Sequence, residues 1–151
     1  MKAWMLAAAA AATLVASFPA AAQFKNAKDA IDYRQGALHV MGNHFGRIGL
    51  MVNNKVPFDA HAVQINADLV VTLAKLPWAG FIDGSDTGDT SARPEIWSQP
   101  DKFKAAALKL QDAAAKLAEA ARTGNQDTIK TAFGTAANTC KSCHDDFRKK
   151  E

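Results

Sequence analysis

The chain has 151 residues and a formal net charge of +3, which is too small to predict a protein that binds nucleic acid or an anionic membrane surface. The length fits a single domain with one hydrophobic core. Cys140 and Cys143 are the only cysteines. A pair so close in sequence excludes the disulfide framework of a small secreted fold and indicates local chemistry.

The first segment, residues 1–22, has the pattern of a cleaved signal peptide. Lys2 supplies the positive start, an apolar, alanine-rich run covers residues 4–18, and three alanines precede Gln23. An uncleaved membrane anchor is the alternative, but the run is short for a full span and no strongly basic flank follows it. We therefore predict export to the periplasm, cleavage before Gln23, and a single mature domain at 23–151 with no membrane attachment.

Four amphipathic helices are predicted in the mature domain, because apolar residues recur there every three or four positions. In chain order they cover about 28–52, 59–76, 101–123 and 125–149. A loop rich in Gly, Ser, Asp and Thr, at 82–100, separates the second helix from the third. Asp59 and Asn125 are the expected N-caps, and Gly124 is the expected residue just after the third helix.

Each predicted helix has one inward stripe. The stripe of the first helix contains a single charge, Arg34, among apolar residues that include Leu38 and Met41. The expected inward residues of the second helix are Ala62, Ile65, Leu69, Leu73 and Leu76. The stripe of the fourth helix includes both cysteines. Such narrow stripes and short connections predict an all-α fold, an antiparallel (up-down-up-down) four-helix bundle.

The run Cys140-Lys141-Ser142-Cys143-His144 is the attachment motif of c-type haem. Residues three apart lie on one face of a helix, so both sulfurs can form thioethers with one haem, and the His144 ring can ligate the iron. A redox-active disulfide or a zinc site is less consistent with the motif, because it lies deep in a helix and no fourth ligand is evident. We predict one covalent haem c per chain.

The second axial position decides the type of haem protein. On the facing helix the stripe offers Leu38 and Met41, with His39 and His44 to either side. A methionine or histidine ligand would give a six-coordinate, low-spin electron carrier. A leucine over the iron would leave it five-coordinate and open to small gases, so the residues alone leave both possibilities open.

The sequence resembles the cytochromes c′ over its whole mature length. The resemblance rests on several blocks in order: Tyr33-Arg34-Gln35, Leu38, His44-Phe45-Gly46-Arg47, Leu76-Pro77-Trp78 with Phe81, Arg93-Pro94-Glu95-Ile96-Trp97, and the haem motif ending in Arg148-Lys149-Lys150. One departure is Phe147, where a tyrosine is expected; the ring is kept and only the hydroxyl is lost.

The resemblance implies a role for each matching residue. His144 is the only expected protein ligand of the iron, and Leu38 is expected to shield the open face. The haem pocket is further expected to include Arg34 near the propionates, Met41, Phe81, and Arg148 beside the His144 face. The resemblance also implies a homodimer formed through the first two helices.

The expected function is that of a periplasmic cytochrome whose five-coordinate, high-spin haem binds nitric oxide and carbon monoxide. Its expected role is nitric oxide scavenging or buffering, electron transfer, or both. The alternative is a low-spin electron carrier with methionine as sixth ligand. No pattern of an enzyme's catalytic groups is predicted, and the sequence does not identify a redox partner.

Overall fold

The computed structural model describes residues 23–150, which form a helical bundle. The helices are α1 (Ala27–Val52), α2 (Ala60–Leu73), α3 (Glu95–Ser98), α4 (Pro100–Arg122) and α5 (Gln126–Phe147), with a 3-10 turn at Pro77–Gly80. The four long helices pack α1 on α2, α2 on α4, α4 on α5, and α5 back on α1. The predicted four-helix bundle is therefore confirmed, whereas the predicted signal peptide lies outside the described residues.

The predicted signals at the helix ends are confirmed. The Asp59 carboxylate accepts a hydrogen bond from Ala62 N at 3.0 Å, and the Asn125 side chain accepts one from Thr128 N at 2.9 Å. Gly124 adopts a φ of +66°, a left-handed conformation that glycine tolerates and that turns the chain directly from α4 into α5.

Two helix ends differ from the prediction, and one additional short helix is present. Helix α2 ends at Leu73, because the chain passes into the 3-10 turn that begins at Pro77. The loop at 82–100 contains the short helix α3, which was not predicted. Helix α5 ends at Phe147, since Arg148 is extended and pairs with Ala92 in an isolated β-bridge.

The predicted inward face of the second helix is only partly confirmed: Ala62 and Leu73 pack against the core, whereas Ile65, Leu69 and Leu76 face outward. Ile65, Leu69 and Leu76 are 48%, 39% and 39% exposed. The buried residues of α2 are instead Val63, Asn66, Ala67 and Val70. Helix α2 is apolar on two sides, so periodicity could not choose between them, and the side with the smaller residues packs into the bundle. The larger apolar side chains remain on the surface.

Helices α1 and α5 approach each other closely at one point, away from the haem motif. A Cβ placed on Gly49 of α1 would lie 2.7 Å from Cζ of Phe133 on α5, so the two helices touch closely there. Two helical turns further along α5, Cys140 packs against a separate apolar cluster that contains Met41 and Leu110. This second cluster forms the apolar floor of the candidate site.

Among residues 23–150, no helix is long and apolar enough to cross a bilayer.

Candidate functional site

Helix α5 presents two free thiols on one face. Cys140 and Cys143 are half-buried, one helical turn apart, and not joined by a disulfide. Burial raises the pKa of both thiols, and for Cys143, with added repulsion from Cys140 and Asp146, it reaches about 11. The pair is therefore protonated at neutral pH and lacks the lowered pKa of a catalytic redox cysteine.

His144 follows the second thiol and lies in the last turn of α5. Much of the residue is exposed, but burial of part of the ring, together with the positive charge of Arg148, lowers the pKa of His144. The ring is thus neutral at pH 7, the form that can ligate a metal. A cleft of about 250 Å³ lies beside it, lined by His144, Asp145, Arg148, Lys149 and Lys150.

The chain after α5 is held in place by the loop before α3. Arg93 N donates to Phe147 O at 3.0 Å, and Lys149 N donates to Ser91 O at 2.8 Å. Between these two bonds, Arg148 N donates to the His144 carbonyl at 3.0 Å. The pairing fixes the backbone of Arg148 one turn beyond His144, and the placement of its side chain beside the His144 ring stays a prediction.

Across from α5, helix α1 presents an apolar wall. Leu38 and Cys140 both pack against the cluster that contains buried Met41. His39 is exposed, and His44 is hydrogen-bonded through Nδ1 to the Asn66 side chain on α2 at 2.8 Å. Of the residues weighed for the second axial side, Leu38 and Met41 lie in this apolar cluster with Cys140, and of these two only Met41 carries an atom that can ligate iron.

An aromatic row connects the 3-10 turn with α5. The Phe81 ring lies 4.8 Å from Phe103 on α4, and Phe103 lies 5.2 Å from Phe147, both edge-on. Trp78 stands 5.6 Å from Phe103 and belongs to the same apolar cluster as Cys140. The row places Phe81 next to Trp78, at a ring distance of 6.3 Å, and its position in a haem pocket stays a prediction.

Arg34 is 2% exposed and lies on the inward face of α1. Its Nη1 donates to Gly80 O at 2.8 Å and to Ser85 Oγ at 2.7 Å. Its Nη2 donates to Ser85 O at 2.7 Å and to Thr90 Oγ1 at 2.8 Å. Burial lowers the pKa of Arg34, yet a guanidinium stays charged at neutral pH. The expected proximity to a carboxylate of the haem stays a prediction, because these four bonds all go to the loop.

Sequence reasoning missed several residues at this end of the bundle. No pattern in the sequence assigned Trp78, Trp97 or Phe103 to the pocket. A larger cleft of about 590 Å³ adjoins the row, lined by Trp78, Phe81, Asp83, Ile96, Trp97, Pro100, Phe103, Lys104, Ala107, Leu108 and Gln111. It contains neither the thiols nor His144, so it borders the site rather than forming it.

The residues present fit a covalently held haem. Two thiols on one helical face, a neutral imidazole after them, and an apolar wall on α1 match the donor set and the surroundings that such a group requires. Fold and site together define a class of protein, a four-helix-bundle cytochrome of the c type.

Comparison with known proteins identifies the family. The family model described as Cytochrome C' matches residues 29–148. The cytochrome c′ of Rubrivivax gelatinosus is 46% identical over 129 residues, covering 85% of this chain and 100% of the relative. A crystal structure of cytochrome c′ from that organism superposes with a TM-score of 0.81 and covers 84% of this chain and 100% of that one.

Gas complexes occur among the similar structures. A nitric oxide complex of a leucine-to-alanine variant of the Alcaligenes xylosoxidans cytochrome c′ is 42% identical, with a TM-score of 0.80, and covers 85% of this chain and 99% of that one. A carbon monoxide complex of a leucine-to-glycine variant of the same protein has a TM-score of 0.79. The chain belongs to the cytochrome c′ family, and its cofactor is haem c.

Proposed function

We propose that this cytochrome c′ binds nitric oxide and carbon monoxide at a five-coordinate, high-spin haem. The observation that carries the proposal is the wall opposite the thiols, where Leu38 packs against the same cluster as Cys140. His44 is hydrogen-bonded to Asn66 on α2 and His39 is exposed, and the proposal assigns neither histidine to the iron. We assign His144 as the single protein ligand and Cys140 and Cys143 as the thioether attachments.

Haem c supplies an iron that coordinates diatomic gases. His144 would hold that iron, and the apolar groups around Leu38 would line the space open to the gas. Such a wall offers no hydrogen-bond donor, so oxygen is disfavoured relative to nitric oxide and carbon monoxide. The gas complexes of the Alcaligenes relative support the same ligands here. The proposed role is nitric oxide scavenging or buffering, and the proposal includes no catalytic step.

A low-spin electron carrier with Met41 as sixth ligand is the competing function. Met41 is 7% exposed and lies among Val70, Ala74 and Leu110, contributed by α2 and α4. This burial among apolar neighbours fits a packing role for its thioether. Transfer of electrons from the five-coordinate state is compatible with the proposed gas binding and needs no sixth ligand.

Export is part of the proposal. The relatives from Alcaligenes and Rubrivivax align over their entire length of 129 residues, the same length that this chain has after residue 22. This agreement supports a signal peptide at 1–22 and a periplasmic mature domain at 23–151. Protein recovered from the periplasm should have Gln23 as its first residue and the added mass of one haem.

We also propose a homodimer formed through α1 and α2. Tyr33, Val40 and Leu50 on α1 are 39–47% exposed, and Ile65, Leu69 and Leu76 expose a second apolar stripe along and just after α2. Two neighbouring helices with exposed apolar stripes favour an interface on this side of the bundle. The same stripes explain why α2 is apolar on two sides.

The visible spectrum of the haem-loaded protein, with and without nitric oxide, tests the gas-binding proposal. Broad high-spin bands that change on adding the gas are expected. Sharp low-spin bands that do not change when nitric oxide is added would support Met41 as a ligand and refute the proposal.

The Leu38→Met variant tests the placement of Leu38. Leucine and methionine have similar volumes, so the exchange should cost less than about 1.5 kcal/mol of stability. If Leu38 lies over the iron, the new thioether should convert the spectrum to low spin and slow nitric oxide binding. Met41→Leu is the matched control and should leave the high-spin spectrum unchanged. An unaltered spectrum in Leu38→Met would show that Leu38 lies elsewhere.

A further inference from the structure

Arg34 carries a buried positive charge that the described part of the chain does not neutralise. No ion pair to Arg34 is found in residues 23–150; its hydrogen-bond acceptors are two carbonyls and two hydroxyls. Two aromatic faces complete the surroundings, with the guanidinium carbon 4.4 Å from the Phe81 centroid and 5.8 Å from that of Trp97. Burying a charged side chain is costly, and these contacts with neutral acceptors and aromatic rings offset part of that cost.

All four acceptors belong to one stretch of chain, the segment 80–90. Ser85 is 0% exposed, and its hydroxyl accepts from Arg34 while donating to Ile82 O at 2.7 Å. Thr90 Oγ1 accepts from Arg34 and also from Ala92 N at 3.1 Å. The guanidinium thus joins the beginning, middle and end of a segment that has no regular secondary structure after Gly80.

The start of this segment also packs directly on α1. A Cβ on Gly80 would lie 2.6 Å from Ala30 O and 2.8 Å from Arg34 Cβ. Phe81 follows at once, and its ring lies against the guanidinium on one side and Phe103 on the other. Arg34 therefore contacts the backbone before and after Phe81 in the chain, as well as the Phe81 ring.

We propose that Arg34 is a positioning residue that clamps the segment 80–90 onto α1 and so fixes Phe81 beside the haem pocket. The clamp depends on the forked geometry of the guanidinium, which reaches four acceptors at once, and not on its charge alone. The inference rests on the proposed function in one respect and deepens it, because Phe81 is expected to border the pocket in which the gas binds.

Hydrogen exchange of the haem-loaded protein tests the clamp without relying on gas binding. In Arg34→Lys, amides of the segment 80–90 should exchange on the order of tenfold faster or more, the change expected from losing charge-assisted hydrogen bonds. Arg47→Lys is the matched control, since Arg47 is an exposed arginine on the same helix, and its exchange pattern should equal that of the wild type.

The Arg34→Gln variant, compared with Arg34→Lys, distinguishes the forked hydrogen bonding of the guanidinium from its positive charge. If Arg34 acts only as a cation toward a carboxylate of the haem, Arg34→Lys should behave as the wild type and Arg34→Gln should not. That outcome would overturn the clamp, as would unchanged exchange in both variants. Should either variant fail to fold, Thr90→Val and Ser85→Ala each remove one acceptor, and each is expected to speed exchange in the same segment; no effect in either would also overturn it.

The nitric oxide association rate completes the experiment. We expect it to change in Arg34→Lys and to stay constant in Arg47→Lys. A wild-type protein that ignores nitric oxide would refute the proposed function, whereas the exchange data would still decide whether Arg34 clamps the segment. The proposed gas binding and the proposed clamp can therefore be refuted independently of each other.

Discussion

Replacing Gly80 by alanine should loosen the contact between the 3-10 turn and α1. The new Cβ would stand 2.8 Å from Arg34 Cβ and 2.6 Å from the Ala30 carbonyl oxygen. A carbon pair is most stable near 3.5 Å, so the turn would have to retreat by roughly 0.7 Å. Neither neighbouring atom can move easily, because one is backbone and the other is the first atom of a buried side chain.

Overpacking of this kind costs about 1–3 kcal/mol. For a domain of this size, each kcal/mol lowers the melting temperature by roughly 4 °C, so Gly80→Ala should melt roughly 4–12 °C lower. The retreat would also weaken the 2.8 Å bond from Arg34 to Gly80 O. The measurement is a thermal melt of the haem-loaded protein followed by circular dichroism at fixed protein concentration.

Gly36→Ala is the control for Gly80→Ala. Gly36 is an exposed position inside α1, and a Cβ there would meet nothing within 4 Å. Alanine is the better helix former, so this variant should gain up to about 1 kcal/mol. If Gly80→Ala melts at or above the temperature of Gly36→Ala, the close approach of the turn to α1 is refuted.

Two further predictions concern the surface and the thiols. Ile65→Asp, on the exposed stripe of α2, should shift the proposed dimer to monomer in sedimentation velocity, whereas Leu108→Asp, on α4 and 54% exposed, should not; equal effects would argue against the α1–α2 interface. In protein made without haem, iodoacetamide at pH 8 should alkylate Cys143 roughly 100-fold more slowly than a free cysteine, because a pKa of about 11 leaves little thiolate. The rate should rise with pH up to that value, and a rate equal to that of free cysteine would show that the thiol is not buried.

The parts of the fold that local chemistry determines were predictable from the sequence. Caps such as Asp59 and Asn125 act within three residues, and the haem motif fits within five consecutive positions. The stripe of α5 was predicted correctly because only one of its sides is apolar. The side of α2 that faces the core was predicted only in part, because both of its sides carry apolar residues and only packing distinguishes them.

The contacts of Arg34 could not be predicted for a different reason. Its acceptors lie 46 to 56 residues later in the chain, in a segment with no periodic pattern. Two of the four are backbone carbonyls, which every residue type offers, so no side-chain signal marks them. Only the presence of a charge on an apolar stripe indicated that a special partner was needed.

Two different kinds of structure therefore form the candidate pocket. On α5, the attachment residues follow one another on a regular helix and need no distant support. On the opposite side, Arg34 lies one helical turn before Leu38, so the residue that clamps the segment 80–90 stands next to the residue proposed to shield the iron. An apolar side chain at position 34 would leave Gly80 O and Ser85 O without their donors in a buried environment. This need for four simultaneous donations gives a physical reason for a buried arginine on an otherwise apolar stripe, and it couples the shape of the gas-facing wall to a loop rather than to the bundle alone.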